Sequence, residues 1–173
     1  MKNLILKILF FCKHPMLVLE RKIKIVKYVN IKKVSIKVFN HGHIEIGSAS
    51  FRDNGMIRVS NNAQIIIGNN VFFNSNINVT CLKKIAIGDN SKVGCNVCIL
   101  DHDHDYKNDI NEFLTDEVVI GKNVWIGANS VICKGVHIGD NSVIAAGSIV
   151  TKSIPRNTIL IQKKISIMKK IGD

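Results

Sequence analysis

The chain has 173 residues, which is enough for one domain and a short appendage. Hydrophobic residues make up 46% and charged residues 21%, as in an ordinary globular protein, but aromatic residues reach only 6%. The core must therefore be built mainly from aliphatic side chains. The many isoleucines and valines favour β-structure, since β-branched side chains pack well on a pleated surface.

The formal net charge of +11 is concentrated at the two ends of the chain. Residues 1–37 hold ten basic residues against one acidic residue, and residues 152–173 hold six against one, whereas the middle is slightly acidic. Neither end carries a recognisable nucleic-acid-binding motif, so we expect no nucleic-acid partner. An anionic membrane surface or the phosphates of a cofactor suits this charge better.

Five cysteines are scattered along the chain, an odd number that does not indicate a disulfide framework and favours the cytoplasm. Cys95 and Cys98 form a single C-x-x-C pair, and no second pair completes a structural zinc site. We therefore expect no metal. The basic, apolar residues 1–12 are not followed by a signal-peptide cleavage site and are too short to cross a bilayer.

Aliphatic residues recur every six positions from Ile120 onwards, and the same spacing appears upstream around Ile67 and Ile87. A period of six is generated neither by a helix nor by an alternating strand. Three hexads make one triangular coil, and stacked coils form three parallel sheets around an aliphatic core. Glycine and asparagine between the hexads suit the corners. The six in-phase residues are Ile120, Ile126, Ile132, Ile138, Ile144 and Val150.

Two segments depart from this pattern. Residues 101–117 are polar and acidic, so they must leave the ladder as a loop, and loops on rigid scaffolds often carry function. Residues 1–38 show two amphipathic helical faces on either side of Pro15, the second running from Met16 to Val26 through Ile23. This N-terminal segment either lies on a membrane or covers the open end of the β-structure.

The hexads, together with the run of residues 120–155, resemble the hexapeptide-repeat acyltransferases. The similarity is greatest to the maltose and galactoside O-acetyltransferases and to their relatives that acetylate capsule and O-antigen sugars. The resemblance implies a left-handed parallel β-helix over residues 39–160, followed by a basic tail at 161–173. It also implies acetyl-CoA as co-substrate, a saccharide acceptor from a cell-surface glycan or its precursor, and a homotrimer with the CoA groove between adjacent β-helices.

The same resemblance assigns the site residues. His104, at the start of the looped-out segment, occupies the place of the family's general base, and Asn74, 30 positions earlier, that of the asparagine near the acceptor. Trp125, the only tryptophan, is expected beside the pantetheine arm of CoA. The family's Gly-Asn-Pro-Ala stretch is missing after the last coil. Further expected cofactor contacts are Gly127, Ala128, Ala145, Ala146, Thr151, Lys152 and Lys163.

These residue types suit acetyl transfer from a thioester. A sugar hydroxyl is too weak an acid to ionise at neutral pH, so a positioned imidazole must take its proton during attack. The other ring nitrogen of His104 needs an acceptor, either a backbone carbonyl or a carboxylate such as Asp101, Asp103 or Glu112. His102 either shares this acid/base work or only hydrogen-bonds the acidic loop. We expect direct transfer, without an acyl-enzyme.

Three alternatives remain open from the sequence. His102 and His104 offer an H-x-H pair, as in a γ-class carbonic-anhydrase-like metalloenzyme, with His137 or a histidine of a neighbouring subunit as the third ligand. A β-helix without activity would be a binding or trimerisation module. Within the acetyltransferase reading, the acceptor could also be the amine of an amino-sugar nucleotide.

Overall fold

A computed structural model describes residues 22–163, which contain 19 short strands and no helix. None of these residues forms a helix long and apolar enough to cross a membrane. In chain order the strands are β1 (Ile23–Ile31), β2 (Val34–Val38), β3 (His43–Phe51), β4 (Gly55–Val59), β5 (Gln64–Ile67), β6 (Val71–Phe73), β7 (Asn78–Cys81), β8 (Lys84–Ile87), β9 (Lys92–Val93), β10 (Cys98–Leu100), β11 (His102–Asp105), β12 (Asp109–Thr115), β13 (Val118–Ile120), β14 (Trp125–Ile126), β15 (Val131–Ile132), β16 (His137–Ile138), β17 (Val143–Ile144), β18 (Ile149–Val150) and β19 (Ile159–Leu160).

The strands form the three parallel faces of a left-handed β-helix, which confirms the predicted fold. Face A contains the first half of β3 with β5, β8, β13 and β16, and face B contains the second half of β3 with β6, β9, β14, β17 and β19. Face C contains β2, β4, β7, β10, β15 and β18. Every pairing within these faces is parallel and joins one coil to the next.

The in-phase aliphatic residues point inward and stack from coil to coil. On face A, Ile87 pairs with Ile120, which pairs with Ile138. On face C, Ile99 pairs with Ile132. All of these side chains are 2% exposed or less. Burying such a side chain contributes roughly 1.5–3 kcal/mol, so the six-residue period and the stability of the prism have the same origin.

Asparagine and glycine have different roles at the corners of the coils. Eleven asparagines have positive φ, a conformation that this side chain tolerates better than most. Their amides also stack, as where Asn76 donates to Asn96 at 3.0 Å and Asn96 donates to Asn129 at 2.9 Å. Gly88 serves close approach instead, because a Cβ there would lie 2.6 Å from the carbonyl of Gly121.

The predicted helix at Ile23 and Val26 is wrong. Both residues lie in β1, which pairs in parallel with β3, so the β-ladder begins upstream of residue 39. The edge of β3 offers backbone partners over nine residues, and the β-branched residues of β1 suit a strand. Residues 1–21, with the first helical face and Pro15, and residues 164–173 of the tail lie outside the described residues.

Removing one rung of the inward ladder should be costly. Ile99→Ala leaves a cavity in the centre of face C, and we expect a loss of about 2–5 kcal/mol in the free energy of unfolding, measured with urea. The matched control is Ile159→Ala, because Ile159 is 64% exposed. Equal losses for the two variants would contradict an aliphatic ladder as the source of stability.

Candidate active site

The acidic interruption is a β-hairpin that projects from the corner between face C and face A. Strands β11 and β12 pair antiparallel, with His102 opposite Thr115 and His104 opposite Phe113. The turn is closed by Asn108, whose amide donates to Asp105 at 2.7 Å. The segment leaves the ladder as predicted. Its strands were not predicted, because β12 is exposed on both sides and shows no apolar alternation.

His104 is oriented by a backbone carbonyl. Its Nδ1 lies 2.5 Å from the carbonyl oxygen of Ile110, on the opposite strand of the hairpin. Because a carbonyl only accepts, Nδ1 must carry the proton, and Nε2 keeps its lone pair. The ring also packs on Phe113, with 4.6 Å between the centroids. The geometry therefore presents a fixed imidazole with a basic nitrogen available.

The root of the hairpin is held by a buried carboxylate. Asp101 is fully buried and accepts hydrogen bonds at 2.8 Å from the backbone N–H groups of Leu82, Lys83 and Lys84. The thiol of Cys81 lies 3.2 Å from Asp101 Oδ2. These donors surround the carboxylate and tie the first residue of the insertion to the corner of the coil above it.

Asp101 also contacts His102, whose Nδ1 lies 3.2 Å from Asp101 Oδ1. The His102 side chain is only 15% exposed and meets the edge of Phe113 at 5.4 Å between centroids. This contact matches the reading in which His102 hydrogen-bonds the acidic segment, while a share in acid/base work stays a prediction. Phe113, which lies against both histidines, was not predicted from the sequence.

Asn74 and Trp125 lie in one groove of about 710 Å³ on the outside of face B, here called the Trp125 groove. Phe72, Lys92 and Trp125 are neighbours on adjacent strands and form its floor. Asn74 stands at the following corner, where its Oδ1 accepts the N–H of Ser75 at 2.9 Å. The corner asparagines before face B line the other side: Asn70, Asn90 and Asn123.

The predicted cofactor residues fall at two different corners. Gly127, Ala128, Ala145 and Ala146 follow β14 and β17, and a Cβ at Gly127 would lie 2.5 Å from the nitrogen of Ala146. This close stacking leaves a shallow surface beside Trp125.

The other three cofactor residues lie at the far end of face C. Thr151 and Lys152 follow β18 and line a small cavity of about 170 Å³. Gln162 lies there too, donating to the carbonyl of Ile149 at 2.7 Å and accepting from its N–H at 2.9 Å. Lys163 comes next and is exposed.

One chain therefore carries two half-sites rather than one complete site. The hairpin with His104 leaves the corner between faces C and A, whereas Asn74 and Trp125 lie on the face B side. The residues that line the Trp125 groove do not include His104. In one chain, His104 therefore lies at a different place on the β-helix from Asn74 and Trp125.

Three thiols of this region are poor candidates for a nucleophile. Burial raises the pKa of Cys81, Cys98 and Cys133 above the usual range for a thiol, so all three stay protonated at neutral pH. Within residues 22–163, no three side chains of metal-ligating type converge. The geometry of one chain thus gives no support to a thiol nucleophile or to the metalloenzyme alternative.

The sequence also matches known proteins. The family model for the hexapeptide repeat of succinyl-transferase matches residues 117–152. Residues 117–152 therefore carry a hexapeptide repeat. Galactoside O-acetyltransferase of Escherichia coli K12 is 38% identical over 114 residues, 64% of this chain and 56% of that protein. The putative lipopolysaccharide biosynthesis O-acetyl transferase WbbJ of the same strain is 27% identical over 118 residues, 61% of this chain and 60% of that protein.

Solved structures of hexapeptide-repeat acetyltransferases share the fold. The Vibrio cholerae enzyme complexed with acetyl coenzyme A is 35% identical, with a TM-score of 0.53 over 55% of this chain and 54% of that chain. A galactoside acetyltransferase in complex with coenzyme A is 29% identical, with a TM-score of 0.57 over 91% and 73%. The Bacillus cereus N-acyltransferase AntD, 23% identical with a TM-score of 0.64 over 79% and 77%, shows the fold alone. The chain spans less than two thirds of the length of these two curated relatives.

The buried Asp101 should matter for stability. Asp101→Asn replaces one acceptor oxygen by an amide NH₂ group, which cannot accept a hydrogen bond and faces the backbone N–H donors. We expect a loss of about 2–3 kcal/mol in the free energy of unfolding. The control is Asp103→Asn, because the Asp103 side chain is largely exposed and lies 3.6 Å from Lys134. For the control we expect a change within about 0.5 kcal/mol. An Asp101 variant as stable as the control would show that the carboxylate does not hold the hairpin.

Proposed function

We propose that this hexapeptide-repeat protein transfers the acetyl group of acetyl-CoA to a hydroxyl of a saccharide, with His104 as general base. The observation that carries this proposal is the bond between His104 Nδ1 and the carbonyl of Ile110, because it leaves Nε2 free to accept a proton. The acceptor belongs to a cell-surface glycan or its precursor. The reaction takes place in the cytoplasm, where acetyl-CoA is made, and the basic ends favour the inner face of the membrane.

The proposed chemistry is a direct transfer. Nε2 of His104 takes the hydroxyl proton while the hydroxyl oxygen forms a bond to the thioester carbonyl carbon. The tetrahedral intermediate then collapses, the C–S bond breaks, and the imidazolium returns the proton to the leaving thiolate. The products are an acetyl ester and free CoA. No acyl-enzyme is needed, which agrees with the protonated, partly buried cysteines.

The two half-sites fit together in a trimer. A hairpin delivered to the neighbour's Trp125 groove puts His104 against Asn74, which holds the acceptor hydroxyl, and against Trp125, which packs on the pantetheine arm. The N–H of Ala146 bonds to no backbone carbonyl in the described part of the chain, so it is a donor for the cofactor or the oxyanion. Thr151, Lys152 and Lys163 take the nucleotide end, where cations suit phosphates.

The relatives support a hydroxyl acceptor over an amine. The two Escherichia coli proteins, at 38% and 27% identity, are O-acetyltransferases by name. AntD, an N-acyltransferase, is 23% identical and so informs the fold only. An amino-sugar nucleotide is the acceptor to test against this preference, and an ester or amide product is distinguished by its lability to hydroxylamine.

Loss of the imidazole should abolish most of the activity. We expect His104→Ala to lower kcat by about 10²–10⁴-fold, since a general base supplies an acceleration of this size. Release of free thiol from acetyl-CoA in the presence of a saccharide panel measures the rate. The control is His137→Ala, because His137 is exposed on face A and does not line the Trp125 groove. A His104 variant with undiminished kcat would remove the proposed base.

Mixing two inactive variants tests the shared site. In a trimer assembled from His104→Ala and Trp125→Ala chains, some interfaces combine an intact hairpin with an intact groove. For equal amounts, random assembly gives about one quarter of the sites with both residues, so activity should return to that level. The two homotrimers mixed without subunit exchange are the control. No recovery after co-refolding would place His104 and Trp125 in the same chain's site.

A further inference from the structure

The floor of the Trp125 groove carries one positive charge between two aromatic rings. Lys92 pairs with Phe72 on the strand above it and with Trp125 on the strand below it, so the three side chains stand in a row on the outside of face B. Lys92 is exposed, and Trp125 is 58% exposed. The row faces the open groove rather than the core.

Within residues 22–163 of one chain, no carboxylate neutralises the charge of Lys92. The groove is lined by amides, aromatic rings and backbone, with no aspartate or glutamate. Between residues 22 and 163, no ion pair joins Lys92 to a carboxylate, whereas many other lysines are paired. Lys84, for example, lies 3.1 Å from Glu117. A second cation stands nearby, because the guanidinium of Arg52 lies 6.0 Å from the centroid of the Phe72 ring.

The remaining groups of the groove suit a sugar. The flat aromatic surface of Phe72 suits the apolar C–H face of a pyranose, and amides bond to its hydroxyls, while Trp125 borders the pantetheine arm. Asn74 has its Nδ2 unpaired within the described residues, and the corner asparagines stand opposite. A neutral sugar would use the Phe72 ring and the amides but leave Lys92 without a partner.

We propose that the acceptor is an acidic saccharide, bearing a carboxylate or a phosphate that pairs with Lys92. This inference rests on the proposed function, which it narrows to one class of acceptor. The acidic group lies over the Lys92 ammonium while a hydroxyl of the same sugar reaches Asn74 at the end of the groove. The ion pair forms beside the Phe72 ring and so favours the charged sugar over its neutral counterpart.

Trp125 provides a direct measurement, because it is the only tryptophan of the chain and forms part of the groove. Its fluorescence is titrated with glucuronic acid against glucose and with galactose 6-phosphate against galactose. We expect the acidic member of one or both pairs to bind roughly tenfold more tightly in the wild-type protein. In Lys92→Met that preference should disappear, while the Kd of the neutral sugar stays unchanged. The two pairs also distinguish a carboxylate from a phosphate.

The control is Lys84→Met, which removes the same charge from face A and should keep the preference for acidic sugars. Equal Kd values for charged and neutral sugars in the wild type would overturn the proposal. So would the absence of any fluorescence change with all four sugars, or an acidic preference that survives in Lys92→Met. A parallel titration with CoA covers the other source of phosphate. If Lys92→Met weakens only CoA binding, the lysine serves the cofactor and the proposal is wrong.

Sugar binding and the rate of acetyl transfer are measured in separate experiments, so the two proposals can fail independently. If His104→Ala keeps its full rate of thiol release, the proposed base fails, but the fluorescence titration still reports on the groove. If acetyl transfer occurs with the same kcat/KM for acidic and neutral sugars, the proposed function stands and the inference about Lys92 falls.

Discussion

Inward stacking of one aliphatic side chain upon another, coil after coil, is the constraint on which the whole structure depends. It requires an identical path of the backbone in each coil, because a shift of one residue would turn the buried side chains outward. The corners are therefore restricted to residues that turn tightly, and asparagine meets this requirement at positive φ. The outer surfaces are left free to vary, and the groups available for binding lie there.

The fold could be predicted because the six-residue spacing of its inward-facing aliphatic residues is visible in the sequence. Ile120, Ile126 and Ile132 are six residues apart for a geometric reason, and each lies where that spacing puts it. The N-terminal strand could not be predicted in this way. Residues 23–31 follow a pattern compatible with a helix, and only the free edge of β3 makes the strand the better solution. That edge is a property of the assembled coils, not of the segment.

The site was less accessible to sequence reasoning than the fold. The place of His104 followed from resemblance, but its carbonyl partner depends on how the hairpin closes, which the exposed strand β12 does not reveal. The sequence offered Asp101 only as one of three carboxylates that could orient the His104 ring. The strand pairing shows a different role for Asp101. Because Asp101 directly follows Leu100, the last residue of β10, it lies beside Cys81 at the buried corner. A role for Lys92 could be inferred only once the strand pairing placed it between Phe72 and Trp125.

The end of face C has a consequence for how the molecule remains discrete. A parallel solenoid exposes backbone donors and acceptors on its last strand, and such an edge can recruit another chain without limit. At Ile149 the side-chain amide of Gln162 occupies both groups, as a peptide unit of a further coil would. Within the described residues, this one glutamine side chain therefore takes up a backbone donor and acceptor on the last strand of face C and removes part of the template for fibrous growth.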